Sequence, residues 1–168
     1  MFKVDDVVRY GTNGVCRITD ITVRSFCGEE MEYYVLRPVA SADSTYYVPV
    51  YNEQLVSRMQ YILSSDEIHA LIGNIGEYNV QWIENDKERL SAYSGILASG
   101  DHRGIIGVVR TLYRHREELI QNKKKMHLAD EKLMQDAERM INDEFSAVLG
   151  IAPSEVPEFI SKELQRVK

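Results

Sequence analysis

The sequence has no apolar run approaching the roughly eighteen residues that a membrane-spanning helix needs. Its opening, Met1-Phe2-Lys3-Val4-Asp5, lacks a basic leader followed by an apolar core, so no secretory signal is expected and the cytoplasm is the expected compartment. Cysteine is scarce. Only Cys16 and Cys27 occur, too few for a disulfide framework and without the second Cys or His cluster a structural metal would need, so both are expected as reduced packing thiols. The four histidines (His69, His102, His115, His127) share no ligand spacing on any one predicted helix, and neither a metal nor another cofactor is expected. Signatures of catalysis are missing too. Gly11 and Gly14 lie in a hairpin with no Lys-Ser/Thr behind them, and no HExxH, nucleophile elbow or CxxC occurs. The acidic pairs Asp5-Asp6 and Glu29-Glu30 fall in turns, where solvation is their expected role. An enzyme is not expected.

What is present is organised by charge and by hydrophobic period. Net charge is −6, which argues against a dedicated nucleic-acid binder. The distribution says more: residues 64–86 hold five acids and no Lys or Arg, and residues 126–168 hold nine acids against five bases. Between them, residues 87–125 hold nine bases (Lys87, Arg89, Arg103, Arg110, Arg114, Arg116, Lys123, Lys124, Lys125) against four acids, a block of +5. Such a block is either a solvated face, with Arg114 and Glu118 paired at helical spacing, or a modest phosphate footprint.

Up to about Leu63 the period is near two. Val7–Tyr10, Val15–Phe26, Met31–Val39 and Tyr46–Val50 read as strands, separated by turns at 11–14, 27–30 and 40–45. Pro38 and Pro49 belong at strand ends or sheet edges, because proline cannot donate to a ladder. This predicts a small antiparallel barrel or meander. After Leu63 the period becomes helical. Ser64-Ser65-Asp66-Glu67 opens a short helix to Ile72 with a capping-box pattern, and residues 79–101 read as one amphipathic helix with Ile83, Leu90 and Leu97 a heptad apart. Asp101 caps a third helix whose apolar face is Ile105, Val108, Val109, Leu112 and Tyr113, with Arg110 and Arg114 outward. A fourth helix runs from about Leu128 to Leu149, Gly150 stops it, and Ser154 caps a last one with Pro157 in its first turn. The predicted domains are 1–63 and 64–168.

Trp82 is the only tryptophan, placed by this pattern at the edge of the seam beside Arg89. Two readings follow: a boundary tryptophan packing its flat face on a neighbouring helix, or an aromatic wedge held out for a partner with arginine beside it for a phosphate.

Taken together, FKVDDVVRYGTNGVCRITDI, GEEMEYYVLRPV and YYVPV, then QW, LASGD, VVRTLYRHREEL and DAERMINDEFSAVLGI, resemble the CarD/CdnL family of bacterial RNA-polymerase-binding transcription regulators. The resemblance covers nearly the whole chain and rests on the order and spacing of these stretches. It implies an α+β protein: a Tudor/SH3-like β barrel shared with transcription-repair coupling factors, then an all-α bundle of about five helices. It implies docking by edge-strand addition on the RNA polymerase β subunit, through the second strand with Arg24 and the strand with Tyr46, Tyr47 and Pro49, with Arg37 nearby. The family often has arginine where this chain has Tyr47. Trp82 matches the family's tryptophan, which inserts into the minor groove of promoter DNA at the upstream edge of the transcription bubble and stabilises the open complex. Lys87 is at the matching distance from it. Arg89, Arg110 and Arg114 complete the expected DNA contacts, weak and largely sequence-independent. The alternative is a protein–protein adaptor on polymerase without DNA contact, and an exposed strand would also allow pairing into a homodimer.

Overall fold

The computed structural model describes residues 1–26, 28–41 and 43–166. Cys27 and Ala42 lie outside the described residues, so the expectation of a packing thiol at Cys27 has no structural counterpart here. The chain divides into two compact units, Met1–Ile62 and Leu63–Lys168.

The first unit is a five-stranded antiparallel sheet. Its strands are β1 (Val7–Tyr10), β2 (Val15–Phe26), β3 (Glu29–Pro38), β4 (Tyr46–Pro49) and β5 (Met59–Tyr61), in the order β4-β3-β2-β1-β5. A one-turn helix, α1 (Glu53–Val56), precedes β5, its start capped by the Asn52 side chain accepting from the Leu55 N–H. The alternation announces β1 to β4. It does not announce β5, whose three residues are too few to show a period. The core face carries Val8, Cys16, Ile18, Tyr34, Leu36, Val48 and Met59. β2 and β3 form a long ribbon, from Cys16↔Pro38 to Phe26↔Glu29, with a register irregularity between Ile18 and Asp20. β1, by contrast, covers β2 only at residues 15–17. Beyond Ile18, whose backbone bonds to Asp5 and Asp6, that side of β2 has no neighbouring strand among the described residues. β4 is an edge strand as well, and Pro49 sits there as its missing N–H requires.

In the second unit α2 (Ser65–Gly73) starts with the expected capping box. The Ser64 Oγ accepts from the Glu67 N–H at 3.3 Å, and a Glu67 carboxylate oxygen accepts from the Ser64 N–H at 2.7 Å. Then come α3 (Asp86–Ser99), α4 (His102–Gln121), α5 (Leu128–Leu149) and α6 (Val156–Arg166). Asp101 caps α4 as expected, and Gly100 and Gly150 close α3 and α5 in the left-handed conformation that favours glycine. The core joins Ile68 and Ile72 of α2, Tyr93 and Leu97 of α3, Ile105, Val108 and Leu112 of α4, and Leu133, Ala137, Ile141 and Phe145 of α5. No helix among the described residues is long and apolar enough to cross a membrane.

Three expectations are corrected. The helix predicted over 79–101 begins only at Asp86, because the Asn85 side chain takes the Glu88 N–H and caps it there. Ile83 therefore precedes the helix, and the buried stripe of α3 is Arg89, Tyr93 and Leu97 rather than the heptad of Ile83, Leu90 and Leu97. Tyr113 is exposed, not part of the apolar face of α4. Ser154 lies inside a 3-10 turn, Pro153–Glu155, that leads into α6, so it is not the cap of a helix; Pro157 does sit in the first turn.

Burial of Cys16 pushes its thiol from 9.0 up to about 11. Native protein should therefore leave Cys16 unmodified by alkylating reagents at pH 8, in a Cys27→Ser background, until denaturant is added. The unfolded thiol ionises first, so the contribution of Cys16 to stability should be full below pH 9 and fall as pH rises toward 11, read by urea titration.

Candidate functional site

Between α2 and α3 the chain runs as a 3-10 turn, Ile75–Glu77, followed by an extended stretch to residue 85. An extended segment packed on helices leaves its carbonyls without ladder partners, and here side chains of α3 and α4 supply them. Arg110 Nη1 donates to the carbonyls of Ile75, Gly76 and Tyr78 at 2.7, 3.0 and 2.6 Å. Thr111 Oγ1 donates to Val80 at 2.7 Å, Tyr93 Oη to Gln81 at 2.8 Å, and Arg89 Nη1 to Ile83 at 2.8 Å. Gly107 lets the segment approach α4, since a Cβ there would meet Val80 Cγ2 at 2.8 Å. The backbone on either side of Trp82 is thereby tied to both helices.

Arg89 anchors this arrangement. It is 3% exposed and donates through Nε and Nη2 to both carboxylate oxygens of Asp130, at 3.0 and 2.7 Å; Asp130 is 1% exposed. Nη2 also reaches Asp86 at 2.7 Å. The Asp130 bonds, reinforced by Asp86, hold the guanidinium above its already high ordinary pKa, so Arg89 stays charged. The same bond to Arg89 lowers the Asp86 carboxyl.

The Trp82 indole lies between two cationic or ionisable groups. The Arg89 guanidinium carbon stands 4.3 Å from its ring centroid, and the His115 imidazole stacks on it at 3.8 Å and 24°. Trp82 is half-buried, so part of the residue remains in solvent. It opens into a groove lined by Val80, Gln81, Thr111, Arg114, His115 and two acids, Glu84 and Glu118.

In the sheet unit, Arg24 is exposed on the half of β2 that, among the described residues, is paired with β3 alone. Its guanidinium carbon sits 4.3 Å from the ring centroid of Tyr47, whose ring in turn meets Tyr33 edge-on at 6.4 Å. Register places Arg24 opposite Met31, Tyr47 opposite Val35 and Pro49 opposite Tyr33. By strand alternation these residues and the exposed Arg37 share one face. Tyr46 points the other way, half-buried and packed on Tyr10 at 5.9 Å. Its ring is therefore withdrawn from the Arg24 face.

Comparison with protein families accounts for nearly the same two stretches. Residues 2–60 match the CarD-like/TRCF RID domain, and residues 73–161 match the CarD C-terminal domain. The chain belongs to the CarD family. Its sheet unit is the RNA-polymerase-interacting module, and the protein is an RNA-polymerase-interacting transcription regulator.

Within this CarD-family chain the basic block of residues 87–125 sorts into three groups. Arg89, expected at a phosphate, is corrected to a buried structural residue whose nitrogens are taken by Asp130, Asp86 and two loop carbonyls. Arg110, expected to face outward, is likewise corrected: it is half-buried and clamps the loop. Arg103 and Arg116 lie 5.8 and 5.7 Å from the rings of Tyr78 and Tyr113. Lys87, Arg114 and Lys123 to Lys125 are exposed and form no ion pair among the described residues; the helical spacing of Arg114 and Glu118 does not bring them into one. Sequence reasoning missed His115, Thr111, Tyr93 and Asp130, which act on Trp82 or its loop from other helices and carry no local motif.

Removing one member of the buried pair should be costly. Asp130→Ala leaves the buried Arg89 charge with only the exposed Asp86 carboxylate and two carbonyls as partners and should destabilise the helical unit by about 3 kcal/mol, the low end for a broken buried pair, whereas Asp136→Ala, which breaks an exposed pair with Arg139, should cost less than about 1 kcal/mol. Urea titration followed by the fluorescence of Trp82, the sole tryptophan, reads both.

Proposed function

We propose that this CarD-family protein holds on to the β subunit of RNA polymerase through its sheet unit while its helical unit contacts promoter DNA at the upstream edge of the bubble and stabilises the open complex. The observation that carries the reading is the setting of Trp82: a half-buried tryptophan on a segment whose carbonyls are bound by Arg89, Tyr93, Arg110 and Thr111. A wedge positioned in advance loses little conformational entropy when it meets DNA. With its ring already in contact with Arg89 and His115, the indole would meet an opened base step through the part left in solvent, and Lys87 and Arg114 would meet phosphates.

On the polymerase side, no strand among the described residues pairs with β2 on its β1 side beyond Ile18, which leaves that edge for a partner strand, as strand addition requires. Arg24, Arg37, Tyr47 and Pro49 would set specificity on that face. Docking brings the helical unit to DNA at high effective concentration, so weak intrinsic affinity suffices despite the net charge of −6. Stabilisation of the open complex equals the difference between affinities for melted and closed DNA, and a tenfold shift requires about 1.4 kcal/mol.

The contacts of the Trp82 ring with Arg89 and His115 are also the observation that favours the adaptor reading, in which the ring only packs. Trp82→Ala should shorten the lifetime of the promoter open complex several-fold, up to about tenfold, with the helical unit still folded by circular dichroism; an unchanged lifetime supports the adaptor. Arg24→Glu should abolish the effect of the protein on open-complex lifetime by weakening binding to polymerase, with DNA absent as well as present. Retained polymerase binding would remove the β2 edge from the docking surface.

A further inference from the structure

Once Arg89 and Arg110 are assigned to the loop and Arg103 and Arg116 to tyrosine rings, five exposed cations without an ion pair among the described residues remain in the block, and three of them are consecutive. Lys123, Lys124 and Lys125 form the turn between α4 and α5. The backbone there closes α4 with a Schellman-type bond, the Lys124 N–H donating to the Leu119 carbonyl at 2.8 Å. Lys123 occupies the left-handed position of that motif, at φ 55°, where glycine is the residue of choice. A lysine at that position adds backbone strain, and three adjacent like charges add repulsion; neither is offset by an ion pair among the described residues.

The turn also adjoins the Trp82 site. His127, two residues past Lys125, lies 3.6 Å from Asp86, which itself bonds to Arg89 beneath the indole. Along α4, the six residues from His115 to Gln121 rise about 9 Å, between two and three base-pair rises, and Lys123 follows two residues later. Lys87, in the first turn of α3, is the residue after Asp86.

We propose that the turn 123–125 is a second DNA contact, a phosphate-binding loop that grips duplex backbone a few base pairs from the position of Trp82. The proposal rests on the DNA-contact reading above and names residues outside it. Lysine ammonium groups, with three rotatable donors each, suit phosphates whose register varies from promoter to promoter, so the loop adds affinity without sequence preference.

The test is a salt series. RNA polymerase holoenzyme and the full chain are titrated onto a fluorescent promoter fragment carrying an upstream fork and its flanking duplex, with wild type, Trp82→Ala, Lys123→Gly and the triple variant Lys123→Gln, Lys124→Gln, Lys125→Gln. The triple variant is expected to lower the slope of log affinity against log salt by about 1.8–2.7, the value for two or three lost phosphate contacts. Lys123→Gly is expected to lower it by about 0.9 while raising the melting temperature, because glycine suits the left-handed position. Lysine variants that superimpose on wild type while Trp82→Ala weakens binding overturn this inference alone. Absence of any DNA-dependent, salt-sensitive binding by wild type overturns the DNA-contact reading and this one with it. Weaker binding of the triple variant to polymerase without DNA, with the slope unchanged, assigns the lysines to a protein surface and overturns the proposal.

Discussion

The helical unit depends on one buried ion pair. Two charges removed from water are stabilising only when the geometry is good and the remaining donors are satisfied, and Arg89 meets both conditions with Asp130, Asp86 and the carbonyls of Ile83 and Glu84. The pair joins the first turn of α3 to the first turn of α5, and the same guanidinium holds the loop and covers one face of Trp82. An apolar side chain at residue 89 would fill the space but could bind neither the carbonyls nor the indole in this way. The ionic solution is therefore tied to the loop as well as to the core.

That tie explains how an irregular segment can present an aromatic ring in a defined place. Loops carry function when a rigid scaffold positions them. Here the scaffold is α3 and α4, and the positioning is by hydrogen bonds from side chains to backbone. Trp82 gains two ring contacts, with Arg89 and His115, without being buried outright. The sheet unit follows a simpler logic: β1 is too short to cover β2, so an edge remains available to a partner. A stacked Arg24 and Tyr47 mark the adjoining face.

The first four strands, the capping box at Ser64, the start of α4 at Asp101 and the long stripe of α5 were legible because each follows from local pattern: alternation, a side-chain cap or a helical period. The family resemblance was legible from the order of several stretches, and the family matches over 2–60 and 73–161 agree with it. The setting of Trp82 was not. Its neighbourhood has enough apolar residues to imitate a helix. The side chains that keep it extended come from residues 89, 93, 110 and 111, whose roles depend on packing across helices. For the same reason charge counting included Arg89 and Arg110 among the surface cations. Spacing cannot show that an arginine is already satisfied by an aspartate forty-one residues away.

The central claim is that the exposed part of a pre-positioned Trp82 meets promoter DNA while the protein is held on polymerase. Because Trp82 is the only tryptophan, 5-fluorotryptophan places a single fluorine reporter in the chain. Its resonance can be compared in the free protein, in the complex with polymerase, and in the complex with polymerase on a melted promoter. The account predicts a clear change in shift and loss of solvent exposure only when the upstream edge of the bubble is present. A resonance identical with and without promoter DNA would contradict it.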